Sequence, residues 1–271
     1  MALSKPIPIP KLNNMTCLNT HDFAKTFSIC TLVTNHDEYQ EMVHSFKSAG
    51  FSDENSEFLY IDNSQGNTYD GYSGLNRFLS TAGGKYIILC HQDVLLSFDT
   101  VQILLARIGE MDALDPNWAI LGNAGYGDFN TKLYRITDPW EDNQAVGALP
   151  AQAKSLDENF LLVKNEANLA LSHNLKGFHL YATDLCTIAG LLGWNAYVID
   201  FHLYHKSAGS CSESFFEAKK AFIDKYSKSM HLLSIRTTCT MMLITAYPWI
   251  NRLINKKIFY SIKKRMDYIF R

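Results

Sequence analysis

Lys85-Tyr86-Ile87-Ile88-Leu89-Cys90-His91-Gln92-Asp93-Val94-Leu95-Leu96 joins a structural signal to a chemical one. Residues 86–90 form a short apolar run without polar alternation, the pattern of a strand buried on both faces of a parallel or mixed sheet. Polar chemistry begins where the run stops. His91, Gln92 and Asp93 set an imidazole, an amide and a carboxyl group at the carboxyl end of that strand. Open α/β sheets bind ligands at that edge because loops and helix starts converge there.

Outward from this stretch, strand and helix patterns alternate. Residues 27–34 predict a strand ending at Asn35-His36-Asp37, and Tyr39, Met42, Val43 and Phe46 predict a helix over 38–48 stopped by Gly50. A second strand is expected over 57–61, then a turn-rich loop at 62–67 and a helix over 73–81 ended by Gly83-Gly84. This order is a βαβαβ half of the kind that binds a nucleotide across its carboxyl edge. Neither G-x-G-x-x-G nor G-x-x-x-x-G-K-[ST] occurs in the chain, which argues against a dinucleotide fingerprint or a P-loop. Strand-end carboxylates approach a diphosphate only through a divalent cation.

The later chain predicts a helix over 99–114 and a strand over 118–121. A long turn-rich insertion over 128–149 follows, then strands over 160–163 and 196–200. Insertions of this kind are more often binding loops than idle surface. Asp157-Glu158 stand just before the 160–163 strand. A second polar constellation, Gly177-Phe178-His179-Leu180-Tyr181-Ala182-Thr183-Asp184-Leu185-Cys186, leads into a helix that Gly193 ends. Thr183 or Asp184 reads either as a cap of that helix or, for Asp184, as a base within reach of a substrate hydroxyl. His202 and His205 follow the last strand without a tight metal-binding spacing, so only long-range assembly brings them into a site. Asp93, Asp184 and His205 are expected at one sheet edge, and Asp with His is a suitable Mn²⁺ or Mg²⁺ pair.

Over about residues 27–210 the chain resembles the nucleotide-sugar glycosyltransferases of the GT-A fold, family 2, in the bacterial branch of short proteins. The resemblance rests on the 28–35 strand, Ile61-Asp62-Asn63, His91-Gln92-Asp93 at the D-x-D position, the 178–186 segment and Tyr204-His205-Lys206-Ser207. It implies an open, mostly parallel twisted α/β sheet flanked by helices. It also implies that Thr31, Thr34 and Asn35 border the nucleotide and that Asp62 binds its base or ribose. Asp93 and His205 would hold Mn²⁺ or Mg²⁺, and Asp184 would deprotonate the acceptor. His91 departs from the pattern where the first acid of D-x-D would stand, and would serve there as a neutral donor to ribose or phosphate. The implied reaction is inverting transfer of a sugar from a nucleoside-diphosphate sugar to a hydroxyl of a glycan or lipid-linked glycan, in surface polysaccharide or lipopolysaccharide synthesis. Two rival classes stand beside it: a non-catalytic nucleotide-sugar-binding protein and a metal-dependent phosphoryl-transfer enzyme.

At 271 residues, 47% hydrophobic and 19% charged, the chain is long and apolar enough for a full globular core. Its six cysteines show no framework spacing, and Cys30, Cys90 and Cys186 lie in apolar runs, as reduced thiols of a cytoplasmic protein do. No signal-peptide core is read in the Pro-rich start. The net charge of −2 hides an asymmetry: ten of the 25 Lys and Arg residues fall in 225–271, where Asp267 is the only acid. The expected division is an extension over 1–26, a catalytic domain over 27–229 and a basic amphipathic helical tail over 230–271. That tail is too interrupted to span a bilayer and suits peripheral contact with an anionic membrane surface, with packing on the body as the alternative. The acidic body and the lack of a recognised module argue against nucleic acid as a partner.

Overall fold

The computed structural model of the chain describes residues 22–207, 209, 212–229, 233–236 and 241–255. Strand and helix alternate at first as the sequence predicts: β1 (Lys25–Val33), α1 (His36–Ser48), β2 (Ser56–Asp62), α2 (Gly71–Thr81) and β3 (Gly84–Cys90). Next come β4 (Val94–Leu95), α3 (Val101–Leu114), β5 (Trp118–Gly122), β6 (Ala124–Tyr126), β7 (Lys132–Thr137), β8 (Gln144–Val146), β9 (Ala151–Ala153), β10 (Ser155–Leu156) and β11 (Phe160–Lys164). The chain continues through α4 (Tyr181–Leu191), β12 (Asn195–Val198), β13 (Leu203–His205), α5 (Glu213–Ser229), β14 (Leu233–Arg236), β15 (Met241–Ile244) and α6 (Pro248–Ile254).

Local chemistry sets the helix starts near the site. The Asn35 side chain accepts from the amides of Asp37 and Glu38 and so begins α1, while Asp70 and Ser73 close a capping box on α2. Gly50, at φ 99, turns the chain out of α1 where a side chain would be strained.

Seven strands form the main sheet in the order β2-β1-β3-β11-β5-β12-β9. β1 runs parallel to β2 and β3, and β12 runs parallel to β5. β11 is inserted antiparallel to both β3 and β5, and β9 is antiparallel to β12. The sheet is therefore mixed and not mostly parallel. The two central strands alternate into two cores, as strand geometry requires. Ile87 and Leu89 pack on one face with Tyr72, Leu75 and Phe78 of α2 and Leu185 and Ala189 of α4. Tyr86 and Ile88 pack on the other with Met42 and Phe46 of α1 and Leu104, Ile108 and Met111 of α3. This three-layer packing accounts for the unbroken apolar run of β3. Truncating a fully buried member such as Ile88 to Ala would cost about 2–5 kcal/mol.

A second sheet of six strands, ordered β10-β6-β7-β13-β4 with β8 on β7, stands over the carboxyl edge of the first. It corrects the reading of 128–149 as irregular: β7 and β8 form an antiparallel pair there. The tail differs too. Its described part is a two-stranded hairpin, β14 with β15, and the one short helix α6; the basic residues of 256–271 and the extension over 1–21 lie outside the described residues. Among the described helices none is long and apolar enough to cross a membrane.

Candidate active site and metal centre

The segment after β3 leaves the sheet at Cys90 and is tied down on both sides. The His91 amide donates to the Asn159 carbonyl at 3.0 Å, and the Lys206 amide donates to the Asp93 carbonyl at 3.1 Å. β13 pairs antiparallel with β4 and sets His205 opposite Val94, one residue beyond Asp93. One ligand atom each of His91, Asp93 and His205 then lies within 4.8 Å of the others. His205 Nε2 is 3.4 Å from Asp93 Oδ1, and the His91 and His205 rings are 5.5 Å apart between centroids. The Tyr181 hydroxyl fixes the His91 ring through Nε2 at 2.7 Å, and Ser207 Oγ lies 3.1 Å from His205 Nε2.

The Asp93 carboxyl and the His91 imidazole are set in the forms that suit a cation. Burial opposes ionisation of Asp93, but the hydrogen bond and charge of His205 outweigh it and hold the carboxyl well below the usual carboxylate range. Burial and the neighbouring His205 push His91 down, towards the neutral form that binds metal. His205 is also penalised by burial, yet the hydrogen bond and charge of Asp93 raise it. Two imidazoles and one carboxylate fit Mn²⁺ or a similar divalent ion.

Two cavities meet at this cluster. One, of about 270 Å³, lies on the main sheet and is lined by Cys30, Leu32, Thr34, Asn63, Gln92 and Asp93 among others. A larger cleft, of about 1040 Å³, opens beneath the second sheet. His91, Glu158 and Phe178 line both.

Of the residues expected to border a nucleotide, Thr34 lines the smaller cavity. Alternation along β1 turns Thr31 into the interior, where Oγ1 meets Cys90 Sγ at 3.6 Å. Asn35 is occupied as the cap of α1. Asp62 is exposed, accepts from the Ser64 amide at 2.9 Å and faces His36 at 3.3 Å; Asn63, its neighbour, lines the cavity instead. Gln92 received no role from the sequence, yet its Oε1 accepts from the amides of Thr34 and Asn35 at 2.8 and 3.0 Å, and its Nε2 donates to Glu38 at 2.9 Å. This clamp fixes the end of β1 to the segment that carries His91 and Asp93.

Asp184 lies apart from both cavities. Leu180, at φ 65, precedes α4, so the helix begins at Tyr181 and Asp184 falls within its first turn, neither at the cap nor at the cleft. The side chain is wholly buried, with Oδ1 accepting from Ser172 Oγ at 2.7 Å and Tyr226 Oη at 2.6 Å and Oδ2 from the Ser172 amide at 2.8 Å. It joins α4 to α5 and to the preceding loop. Asp184→Asn turns an amide N–H₂ towards one of those donors, so chemical denaturation is expected to show a loss of about 1–3 kcal/mol. An unchanged midpoint would show that this network does not hold the elements together.

The carboxyl group that does face the site is Glu158. Partly exposed where the two cavities meet, it accepts from the Ala182 amide at 3.4 Å at the start of α4. Burial, with the charge of Asp157 added, pushes it up to about 8 against the pull of the amides of Ala182, Tyr181 and Leu180. The sequence set Asp157 and Glu158 just before this strand but not its direction: β11 runs antiparallel to β3, with Phe160 opposite Cys90, so acids just before β11 emerge beside His91.

No family model matches the chain. Among solved structures, mannosyltransferase PcManGT from Pyrobaculum calidifontis, in complex with GDP-Man and Mn²⁺, superposes over 76% of this chain and 64% of its own at 10% identity and a TM-score of 0.52. This chain therefore spans less than two thirds of that enzyme, and the likeness is one of fold: a mixed α/β glycosyltransferase fold. Glucosyl-3-phosphoglycerate synthase from Mycobacterium tuberculosis is looser, with a TM-score of 0.47 at 11% identity over 82% of this chain and 88% of its own. In sequence, the protein named "ATP synthase subunits region ORF 6" of Fuscovulum blasticum is 34% identical over 206 residues, 74% of this chain and 83% of that protein. That extent of identity means that the chain belongs to the family of the Fuscovulum blasticum protein.

Proposed function

We propose that the chain is an inverting, metal-assisted glycosyltransferase of family 2 type, moving a sugar from a nucleoside-diphosphate sugar to a hydroxyl of a glycan or lipid-linked glycan. Surface polysaccharide or lipopolysaccharide assembly on the cytoplasmic side is the setting in which such an acceptor occurs. The observation that carries the reading is the convergence of His91, Asp93 and His205 within 4.8 Å at the junction of two cavities on the carboxyl edge of the sheet. The smaller cavity, bordered by Thr34 and Asn63, suits the nucleoside; the cleft suits the acceptor.

When bound by those three residues, Mn²⁺ or Mg²⁺ supplies positive charge against the leaving diphosphate. The chain's own residues do the rest. Tyr181 holds the His91 ring, and Gln92 holds the Thr34 edge of the donor cavity. Glu158 accepts the proton of the acceptor hydroxyl, which attacks the anomeric carbon from the side opposite the departing diphosphate and so inverts it. The basic residues beyond 225 would carry the chain to an anionic membrane surface where a lipid-linked acceptor resides.

Burial of Asp184, the acid matched to the base by resemblance, favours a second reading: a nucleotide-sugar-binding protein without turnover. The placement of Glu158 favours catalysis. A panel of UDP-, GDP- and dTDP-sugars, assayed with Mn²⁺ for binding and for release of nucleoside diphosphate, separates them. Release in the presence of acceptor is expected for at least one donor. Binding without release would leave the binding protein, and absence of donor binding would remove both readings.

A further inference from the structure

The large cleft carries chemistry that the donor reaction does not use. Its roof is the second sheet, where the Tyr126 and Tyr134 rings meet edge to face at 6.0 Å and Trp140 stands beyond them 76% exposed. Phe178 and Phe215 line it as well. Exposed aromatic rings gathered in one concavity offer flat apolar faces to a ligand whose other groups are polar. Between them are hydrogen-bonding groups, among them Gln144, Asp138 and Asp157.

Charge narrows the ligand. Away from His91 and His205 of the metal site, and from His179 at its edge, the cleft is lined by three carboxyl groups, Asp138, Asp157 and Glu158, and no arginine is among its described lining residues. Its one lysine, Lys132, lies 4.1 Å over the Tyr134 ring and reaches Gln144 Oε1 at 3.4 Å, so it is already engaged. A phosphate or carboxylate on the ligand would meet carboxyl groups without the arginine fork that such anions favour. The floor is also under-satisfied in hydrogen bonds. Asn159 is wholly buried, and its amide oxygen and nitrogen find no partner among the described residues, an arrangement that calls for a further polar group.

Resting on the transferase reading above, we infer that this cleft binds an uncharged carbohydrate, stacking sugar rings on Tyr126 and Trp140 and holding their hydroxyls with carboxyl and amide groups. The acceptor end of the substrate is therefore a neutral glycan, and any phosphate it carries, as on a lipid carrier, lies outside the cleft.

The full chain, labelled and supplied with UDP or GDP and Mn²⁺, can be applied to an array of neutral, uronate-bearing and phosphorylated glycans. Neutral glycans are expected to be retained, and the affinity for the best of them to fall at least about tenfold in Trp140→Ala and Tyr126→Ala. Trp140→Phe should restore most of it. Both aromatic residues are exposed, so unfolding midpoints should stay close to the parent's. Nucleotide binding, measured separately by calorimetry, keeps the two readings distinct: loss of it in the parent protein counts against the transferase, whereas retained nucleotide binding isolates the cleft. Preference for phosphorylated or acidic glycans, preference for a single-stranded oligonucleotide, absence of glycan retention despite nucleotide binding, or an unchanged affinity in both alanine variants would overturn the inference.

Discussion

Glu158→Gln is expected to lower the maximal transfer rate by about 100- to 10,000-fold, the range that general-base help supplies, while leaving donor affinity near that of the parent. Gln keeps the shape and the ability to accept from the Ala182 amide but cannot take a proton. The same substitution should raise stability above neutral pH. Glu158 is pushed from an ordinary value of 4.5 up to about 8, chiefly by burial. A group whose folded value is raised binds its proton more tightly in the folded state. Its contribution is complete below about 4.5 and is lost as pH climbs through about 8. The parent should therefore lose stability relative to Glu158→Gln across that window, and the transfer rate of the parent should climb on the limb near 8. Thermal unfolding at pH 5 and pH 9, paired with saturating rates, checks both parts. A variant that is fast, or one whose midpoint difference from the parent does not grow with pH, would remove Glu158 from the proton-accepting role.

Asp93→Ala is expected to weaken Mn²⁺ binding by at least about 100-fold, because it removes the one anionic ligand from a set of three; even loss of a group that only orients a ligand costs about 10- to 100-fold. His205→Ala should act in the same direction with a smaller loss, since a neutral imidazole contributes less charge. Neither should unfold the chain. Asp93 lines the smaller cavity and His205 the cleft, and neither belongs to a core cluster. Titration of Mn²⁺ followed by electron paramagnetic resonance, with nucleoside diphosphate present, reads the effect directly. Equal Mn²⁺ affinity in the parent and in both variants would place the cation elsewhere.

The βαβαβ half was legible because its signals are local. The apolar runs of β1 and β3, the Met42 and Phe46 spacing and the Gly50 stop each depend on a few neighbours. His91 and Asp93 were legible as strand-end groups for the same reason. What escaped was set by pairing over long distances. The antiparallel insertion of β11 has no signature in its own residues, since a strand buried on both faces reads the same in either direction. The second sheet is assembled from strands of two to six residues, too short for alternation to register. Asp184 reads differently because α4 starts earlier than its apolar spacing suggests: it begins at Tyr181, after Leu180 in a left-handed conformation that few non-glycine residues adopt, and Asp184 is buried within its first turn. His205 was expected beside Asp93 from the strand order and from the family pattern alike; the geometry adds the reason, the pairing of β13 with β4.

The account stands on a divalent cation held by His91, Asp93 and His205. Crystals of the full chain grown with Mn²⁺ and UDP or GDP, measured on both sides of the manganese absorption edge, locate that ion without reference to activity. An anomalous peak within bonding distance of all three side chains and of the diphosphate is the result expected. A peak elsewhere, or a nucleotide bound in the cavity with no manganese between it and Asp93, would contradict the account.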